Sequence, residues 1–284
     1  MTDSSEAFAA GDISGVIGSR QNDRIKRVRK LKQRKYRKQE GRMLIEGVRI
    51  LEAAIGAGLV FEEVFCAQDF LDDASHRSRL SQLKDRGARV FQVEDHVLDA
   101  LSEVATPQGI CAVVKIPSWD ISDIRQAEAT RRNGMILWFD AISDPSNFGA
   151  ILRSAFALGA SGYLMSPHCV DRFHPASVRA SAGAVFYLAG VSEVDICDVK
   201  ALPFLNDRPW IGATPKAKKS LEDVDPNQPV LLLVGEEARG LSPEALKASD
   251  VKLAIPMTPN ADSLNVSAAM AIMMYHFSPW RRKI

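Results

Sequence analysis

A two-part α/β protein, with a small mixed domain ahead of a larger parallel-sheet domain, is the architecture expected from the sequence. Three observations lead to it. The chain has 284 residues, more than the ~100 to 200 of a common single domain. From Arg42 onward its apolar residues fall in short strand-length runs separated by helix-length segments, the pattern of alternating β and α elements. In the second half those runs are continuous, as in "VLLLVG" at 230–235, which suits strands covered on both faces of a parallel sheet.

Residues 1–19, "MTDSSEAFAAGDISGVIGS", are small and acidic and are expected to be disordered. A basic helix comes next, with Ile25, Val28 and Leu31 as a thin apolar stripe. A short strand in "RMLIE", a helix over 48–57 and a strand at 64–66 precede a helix near 80–86, a strand at 88–93, a helix at 96–101 and a strand at 109–115. Together they make a small α/β domain over 20–116. "IPSWDISDIRQAEATRRNG" reads as a linker over 117–133, because Pro117 closes one strand and Gly134 opens the next. In the domain over 134–284, strands are expected at 135–139, 162–165, 184–188, 210–213, 230–234 and 252–255. The last helix, over 268–277, is apolar nearly all round and should be buried.

Composition narrows the function classes. Cys66, Cys111, Cys169 and Cys197 are far apart and form no CxxC pair, so neither a zinc ribbon nor a disulfide framework is indicated. No run approaches the ~18 apolar residues of a membrane span, and a cytoplasmic protein with no membrane partner is expected. The net charge of +1 conceals a strong asymmetry. Residues 20–42, "RQNDRIKRVRKLKQRKYRKQEGR", carry twelve Lys or Arg against Asp23 and Glu40. That is a local +10, and it leaves the rest of the chain at −9. A solvated helix face usually mixes signs; this one scarcely does, and it points to a polyanion, with Arg24, Lys26, Arg27, Arg29, Lys30 and Lys35 as candidate contacts.

Chemistry in an open parallel sheet belongs beyond the carboxyl ends of the strands, and three loops there are unusual. In "FDAISDPSNFGAILRSAFALGA", Asp144 and Pro145 make a turn, Asn147 is placed to cap a helix, and Arg153 follows amid apolar neighbours. Arg153 reads either as a snorkelling or salt-bridged side chain or as a phosphodiester binder near a helix start. In "LLLVGEEARGLSPEAL", two glycines bracket Glu236 and Glu237, suiting a ligand with cationic or hydrogen-bond-donating groups rather than a phosphate. In "IPMTPNADSLNVSAAMAIMMYHF", Ser263, Asn265 and Ser267 open the apolar helix, and Ser263 is a candidate cap. The three serine and asparagine positions are either capping residues or the floor of a site.

These three loops, in this order, resemble the SpoU (TrmH-like) family of the SPOUT superfamily, RNA ribose 2'-O-methyltransferases that use S-adenosylmethionine. The carrying segments are "DPSNFGAILRSA", "VGEEARGL" and "IPMTPNADSLNVSAAMA", with "RFHPASVRASAGAVF" between the first two. The basic N-terminal part, through "GRMLIEGVRILEAA", is similar to the ribosomal-protein-like substrate-binding domain found in many members. The resemblance implies a parallel sheet threaded into a trefoil knot, a homodimer, and catalytic roles for Asn147, Arg153, Glu237, Ser263 and Asn265. It implies cofactor contacts at Thr214, Gly235, Ile255 and Leu264. For Arg153 it implies a general base or a phosphate dock. A guanidinium with a pKa above ~12 is a poor base, so docking is favoured.

Competing readings weigh less. "HCVDRFH", with His168, Cys169, Asp171 and His174, matches no zinc spacing, and no metal is expected. A non-catalytic RNA-binding protein would be favoured if Arg153, Glu237 or Asn265 were missing. A dinucleotide oxidoreductase needs a glycine-rich loop that "FDAISDPSN" lacks. Ribosomal RNA is the expected target ahead of transfer RNA.

Overall fold

The computed structural model describes residues 10–130, 134–214, 217–260 and 262–281. The chain divides into two compact units, Met1–Pro117 with Phe173–Val178, and Ser118–Arg172 with Arg179–Ile284.

The first unit runs β1 (Gly15–Ile17), α1 (Asp23–Lys30), α2 (Arg34–Glu40), β2 (Arg42–Glu46), α3 (Val48–Gly56), β3 (Phe61–Cys66), α4 (Gln68–Asp72), α5 (Ala74–Asp85), β4 (Arg89–Val93), α6 (Asp95–Leu101) and β5 (Ile110–Lys115). Its five strands lie in the order β1-β4-β3-β5-β2. The β1-β4-β3 portion is parallel, and β5 and β2 are added antiparallel. Ile25, Val28 and Leu31 pack with Phe65, Phe91, Val97 and Leu101 in one buried cluster, so the thin apolar stripe is what docks α1.

Two expectations change here. The terminal segment is not disordered throughout, since Gly15–Ile17 pairs with Phe91–Val93 as an edge strand; the disorder expected of residues 1–9 lies outside the described residues. The basic stretch forms two helices rather than one. Arg37, 2% exposed, donates from Nη1 to the Leu31 and Lys32 carbonyls at 2.7 Å each. That satisfies the open end of α1 and turns α2 away from it.

The second unit continues with α7 (Ile121–Thr130), β6 (Met135–Phe139), α8 (Pro145–Ala157), β7 (Gly162–Met165), α9 (Pro175–Ala180, which crosses the division), β8 (Ala189–Val191), α10 (Ile196–Lys200), β9 (Trp210–Ala213), β10 (Val230–Val234), α11 (Pro243–Ala248), β11 (Val251–Leu253) and α12 (Val266–Phe277). Six strands in the order β11-β9-β10-β6-β7-β8 make a wholly parallel sheet. Alternate residues supply two cores. Ile136, Trp138, Leu231 and Leu233 face a cluster with Ile124, Ile196, Val199 and Ala245. On the other side Phe139 and Tyr163 meet Phe148 of α8 at ring separations of 4.9 to 5.9 Å, and α8 packs along α12. Both faces are covered, as the continuous apolar runs require.

Three elements differ from expectation. The stretch read as a linker holds α7, whose Ile124 is fully buried. The strand expected at 184–188 is a 3₁₀ turn, Ala184–Phe186, because Ala182 and Gly183 take positive φ and reverse the chain; β8 begins only at Ala189. Helix α12 is not buried all round: Met270, Met273, Met274 and Phe277 are, but Ile272 and Tyr275 are 41% and 48% exposed.

Candidate active site

The site lies in the second unit, where β6, β9, β10 and β11 end. Helix α8 is capped by Asp144, whose Oδ1 accepts from the Asn147 backbone N–H at 2.7 Å, with Pro145 in the first turn. The expectation that Asn147 caps is thereby corrected. Its side chain is left free to bridge two other loops. Nδ2 donates to Glu237 Oε1 at 2.6 Å, and Oδ1 accepts from Asn265 Nδ2 at 3.0 Å.

Asn265 is in turn the cap of α12, in place of Ser263. Its Oδ1 accepts from the backbone N–H and the hydroxyl of Ser267 at 2.8 and 2.5 Å. One amide therefore holds the helix start with its oxygen and reaches Asn147 with its nitrogen. Three residues from three separate segments form a single directed chain, Asn265 to Asn147 to Glu237.

The loop after β10 is shaped by glycine. Glu236 and Gly240 exchange backbone hydrogen bonds at 3.1 and 2.8 Å, and a Cβ on Gly235 would fall 2.3 Å from the Gly240 carbonyl carbon. No other residue fits there without opening the loop. Side chains from the β6–α8 segment pin that loop at three points: Asp140 Oδ2 accepts the Ser242 N–H at 2.7 Å, Ser143 Oγ donates to Glu236 Oε1 at 3.1 Å, and Asn147 holds Glu237.

Beside this network opens a cleft of about 160 Å³. Thr214, Gly235, Ile255 and Leu264 all line it, with Glu236, Glu237 and Ser263 as polar lining and Leu233, Leu253, Met257 and Met270 among its apolar walls. The walls suit a flat heteroaromatic ring, and the two carboxylates suit a cationic centre. Leu264 is 39% exposed, an apolar side chain standing open at the mouth. S-Adenosylmethionine combines an adenine ring with a sulfonium and an ammonium, and these residues fit both parts.

Arg153 is not brought to this cluster. It sits six residues beyond Asn147 on α8, about 240° round the helix, and it is exposed with no hydrogen bond or ion pair among the described residues. Asp140 and Ser143 were not singled out by the sequence. The polar crowding of "FDAISD" at a strand end was the available signal, but spacing along one loop does not reveal which side chain crosses to another. For "HCVDRFH", Cys169 Sγ instead donates to the Phe139 carbonyl and His174 Nδ1 accepts from the Ala176 N–H. Among the described residues no group of three or more His, Cys, Asp or Glu is arranged to hold a metal ion.

In the first unit the six candidate RNA contacts fall into two sets. Arg24 and Arg27 are bound to the buried Glu63. Lys26 makes only a long contact to Asp23 at 3.5 Å, Arg29 is exposed without a partner among the described residues, and Lys30 and Lys35 stand 5.5 and 5.9 Å from the Tyr36 ring centre. Lys32, by contrast, is spent on the Ala100 and Ser102 carbonyls, and burial lowers its pKa.

A parallel sheet with a polar network and a cleft at its carboxyl edge defines a ligand-binding α/β enzyme domain. Residues 134–275 match the SpoU rRNA Methylase family, and residues 22–112 match the MRM3-like substrate binding domain. The chain is 30% identical to a tRNA/rRNA methyltransferase of Synechocystis, slr1673, itself uncharacterized, over 93% of each chain. It is 26% identical to a 23S rRNA (guanosine(2553)-2'-O)-methyltransferase of Bacillus subtilis, over 92% of this chain and 98% of that one. The crystal structure of the SpoU methyltransferase AviRb from Streptomyces viridochromogenes, in complex with the cofactor AdoMet, superimposes with a TM-score of 0.78 at 28% identity, covering 92% of this chain and 98% of that one. The chain belongs to the SpoU rRNA methylase family. It is a methyltransferase, and its cofactor is S-adenosylmethionine.

Proposed function

We propose that the protein methylates the 2'-hydroxyl of one ribose in ribosomal RNA. The observation that carries this reading is the Asn265–Asn147–Glu237 chain at the rim of the cleft. When bound, S-adenosylmethionine supplies an electrophilic methyl on a sulfonium. Thr214, Gly235, Ile255 and Leu264 hold the cofactor, the two apolar residues against its ring. Asn147, Glu237, Ser263 and Asn265 fix the acceptor ribose and the methyl-bearing end in line, which is where most of the rate arises in such a displacement. Arg153, which lies apart from that cluster on α8, docks a phosphate of the bound RNA, and the guanidinium keeps its charge.

Residues 20–116 form the RNA-binding domain, with Lys26, Arg29, Lys30 and Lys35 on its accessible basic side. Ribosomal rather than transfer RNA is supported by the acceptor named for the Bacillus relative. The protein works as a homodimer, which is supported by the exposed apolar side chains Phe156, Tyr187, Ile272 and Tyr275. Phe156 and Tyr187 stack at 5.0 Å, so two of these side chains share one exposed apolar spot, and exposed apolar patches mark interaction surfaces. The trefoil knot implied by the family and a cytoplasmic location belong to the same proposal; no helix among the described residues is long and apolar enough to cross a membrane.

The test is transfer of labelled methyl from S-adenosylmethionine to unmodified ribosomal RNA transcripts, followed by alkaline hydrolysis. Label in alkali-resistant dinucleotides supports ribose methylation; label in mononucleotides points to a base and contradicts it. Arg153→Lys should weaken RNA binding more than cofactor binding, and equal loss of both would contradict the docking role.

A further inference from the structure

Strand β3 carries two consecutive glutamates at a break in register with β5, between Phe61 and Glu63. Such irregularities re-aim side chains, and here the two carboxylates have separate partners. Glu62 pairs with Arg42. Glu63, 1% exposed, receives three guanidiniums: Arg24 and Arg27 from α1, and Arg89 from the start of β4 at 2.7 Å. One partner is enough to neutralise a buried carboxylate; three leave the cluster at +2. The arginine side chains are 29%, 43% and 56% exposed, so the surplus charge faces solvent. Arg24 also lies 4.2 Å from the Phe91 ring centre, which fixes its plane. A guanidinium has five N–H donors, and the bonds to Glu63 use a minority of them.

We propose that Arg24, Arg27 and Arg89, braced from beneath by Glu63, form a cradle for one backbone phosphate of the RNA substrate. The proposal rests on reading the first unit as the RNA-binding domain, and it names a site within it. Planar forks held in fixed orientation match the oxygens of a phosphodiester. Arg89 lies outside the basic run and joins the cluster only because Glu63 and Arg89 are neighbours in the β3–β4 register. Glu63 is a positioning residue: it touches the arginines and not the RNA.

The experiment measures binding of the full-length protein to unmodified large-subunit ribosomal RNA, transcribed in vitro, across a salt series. Arg89→Gln should weaken binding about fivefold and lower the salt slope by about 0.7 to 0.9, the loss of one phosphate contact. Arg77→Gln, which removes an equal charge from an exposed position on α5, is the control and should change neither by as much as twofold. Glu63→Gln separates the cradle from simple charge. It raises the net charge by one, so charge alone makes binding tighter, whereas loss of the brace makes it weaker. S-Adenosylmethionine affinity, measured on the same preparations, should stay unchanged. If Glu63→Gln does not fold, Arg89→Gln carries the test. The cradle is overturned if Arg89→Gln behaves like Arg77→Gln, or if folded Glu63→Gln binds RNA more tightly. Loss of binding in a Lys30→Gln, Lys35→Gln variant with Arg89→Gln unaffected overturns the cradle and keeps the RNA reading; absence of RNA binding by the unaltered protein overturns both.

Discussion

Asn265 has two duties that substitution can separate. Its Oδ1 caps α12 and its Nδ2 reaches Asn147. Asn265→Ala removes both. The lost cap costs about 1 kcal/mol, a fall of about 2–4 °C in Tm for a unit of this size, and methyl transfer should fall about 100-fold. Asn265→Asp keeps an acceptor for the helix start but has no N–H for Asn147. Its Tm should stay within about 1 °C of the unaltered protein while activity falls as far as in the alanine variant. Thermal melts and single-turnover rates on the two variants check this. Retained activity in Asn265→Asp would return the residue to capping alone. Asn147→Asp is the companion: it sets a carboxylate 2.6 Å from Glu237 in place of the donated N–H, and like charges at that distance repel. We expect a loss of activity at neutral pH that partly recovers as pH falls toward the carboxylate range, where the added proton restores a donor.

Among the elements, the loop joining β10 to α11 positions the acid of the network. Gly235→Ala places a Cβ against the Gly240 backbone, and opening the loop should cost about 1–3 kcal/mol. Because the same loop lines the cleft, cofactor affinity measured by calorimetry should fall with it; unchanged affinity would place the cofactor elsewhere. How far these elements were legible in the sequence follows from their physics. Strands β6, β7, β9 and β10 stand where continuous apolar runs place them, because burial on both faces leaves no alternative register of polarity. Helix starts were less legible. Asp144 and Asn147, or Ser263 and Asn265, are all competent caps by residue type, and only the turn geometry chooses between them. The chain from Asn265 through Asn147 to Glu237 joins positions far apart in sequence, and no local periodicity encodes it; family resemblance, not spacing, grouped those residues. The helix within the expected linker was hidden by the proline and glycine at its borders and by a single buried apolar residue, Ile124.

At the scale of the whole molecule, charge and apolar surface are divided between structure and binding. The basic run serves both: Arg37 and Lys32 hold backbone carbonyls, Arg24 and Arg27 hold Glu63 with donors left over for the proposed phosphate cradle, and Lys26, Arg29, Lys30 and Lys35 are the further RNA contacts proposed above. In the other unit, Ile272 and Tyr275 stand exposed on a helix whose remaining face is core. Ile272→Glu should raise the dimer dissociation constant at least about tenfold, seen by sedimentation as a shift to monomer, with methyl transfer falling alongside it. A monomeric unaltered protein would contradict the homodimer. Ribose methylation of ribosomal RNA by the Asn265–Asn147–Glu237 site is decided by mapping 2'-O-methyl groups across ribosomal RNA in cells lacking the protein and in cells carrying only Asn265→Asp. One and the same ribose should lose its methyl in both. An unchanged map in both, or restoration of the methyl by Asn265→Asp, would contradict that assignment.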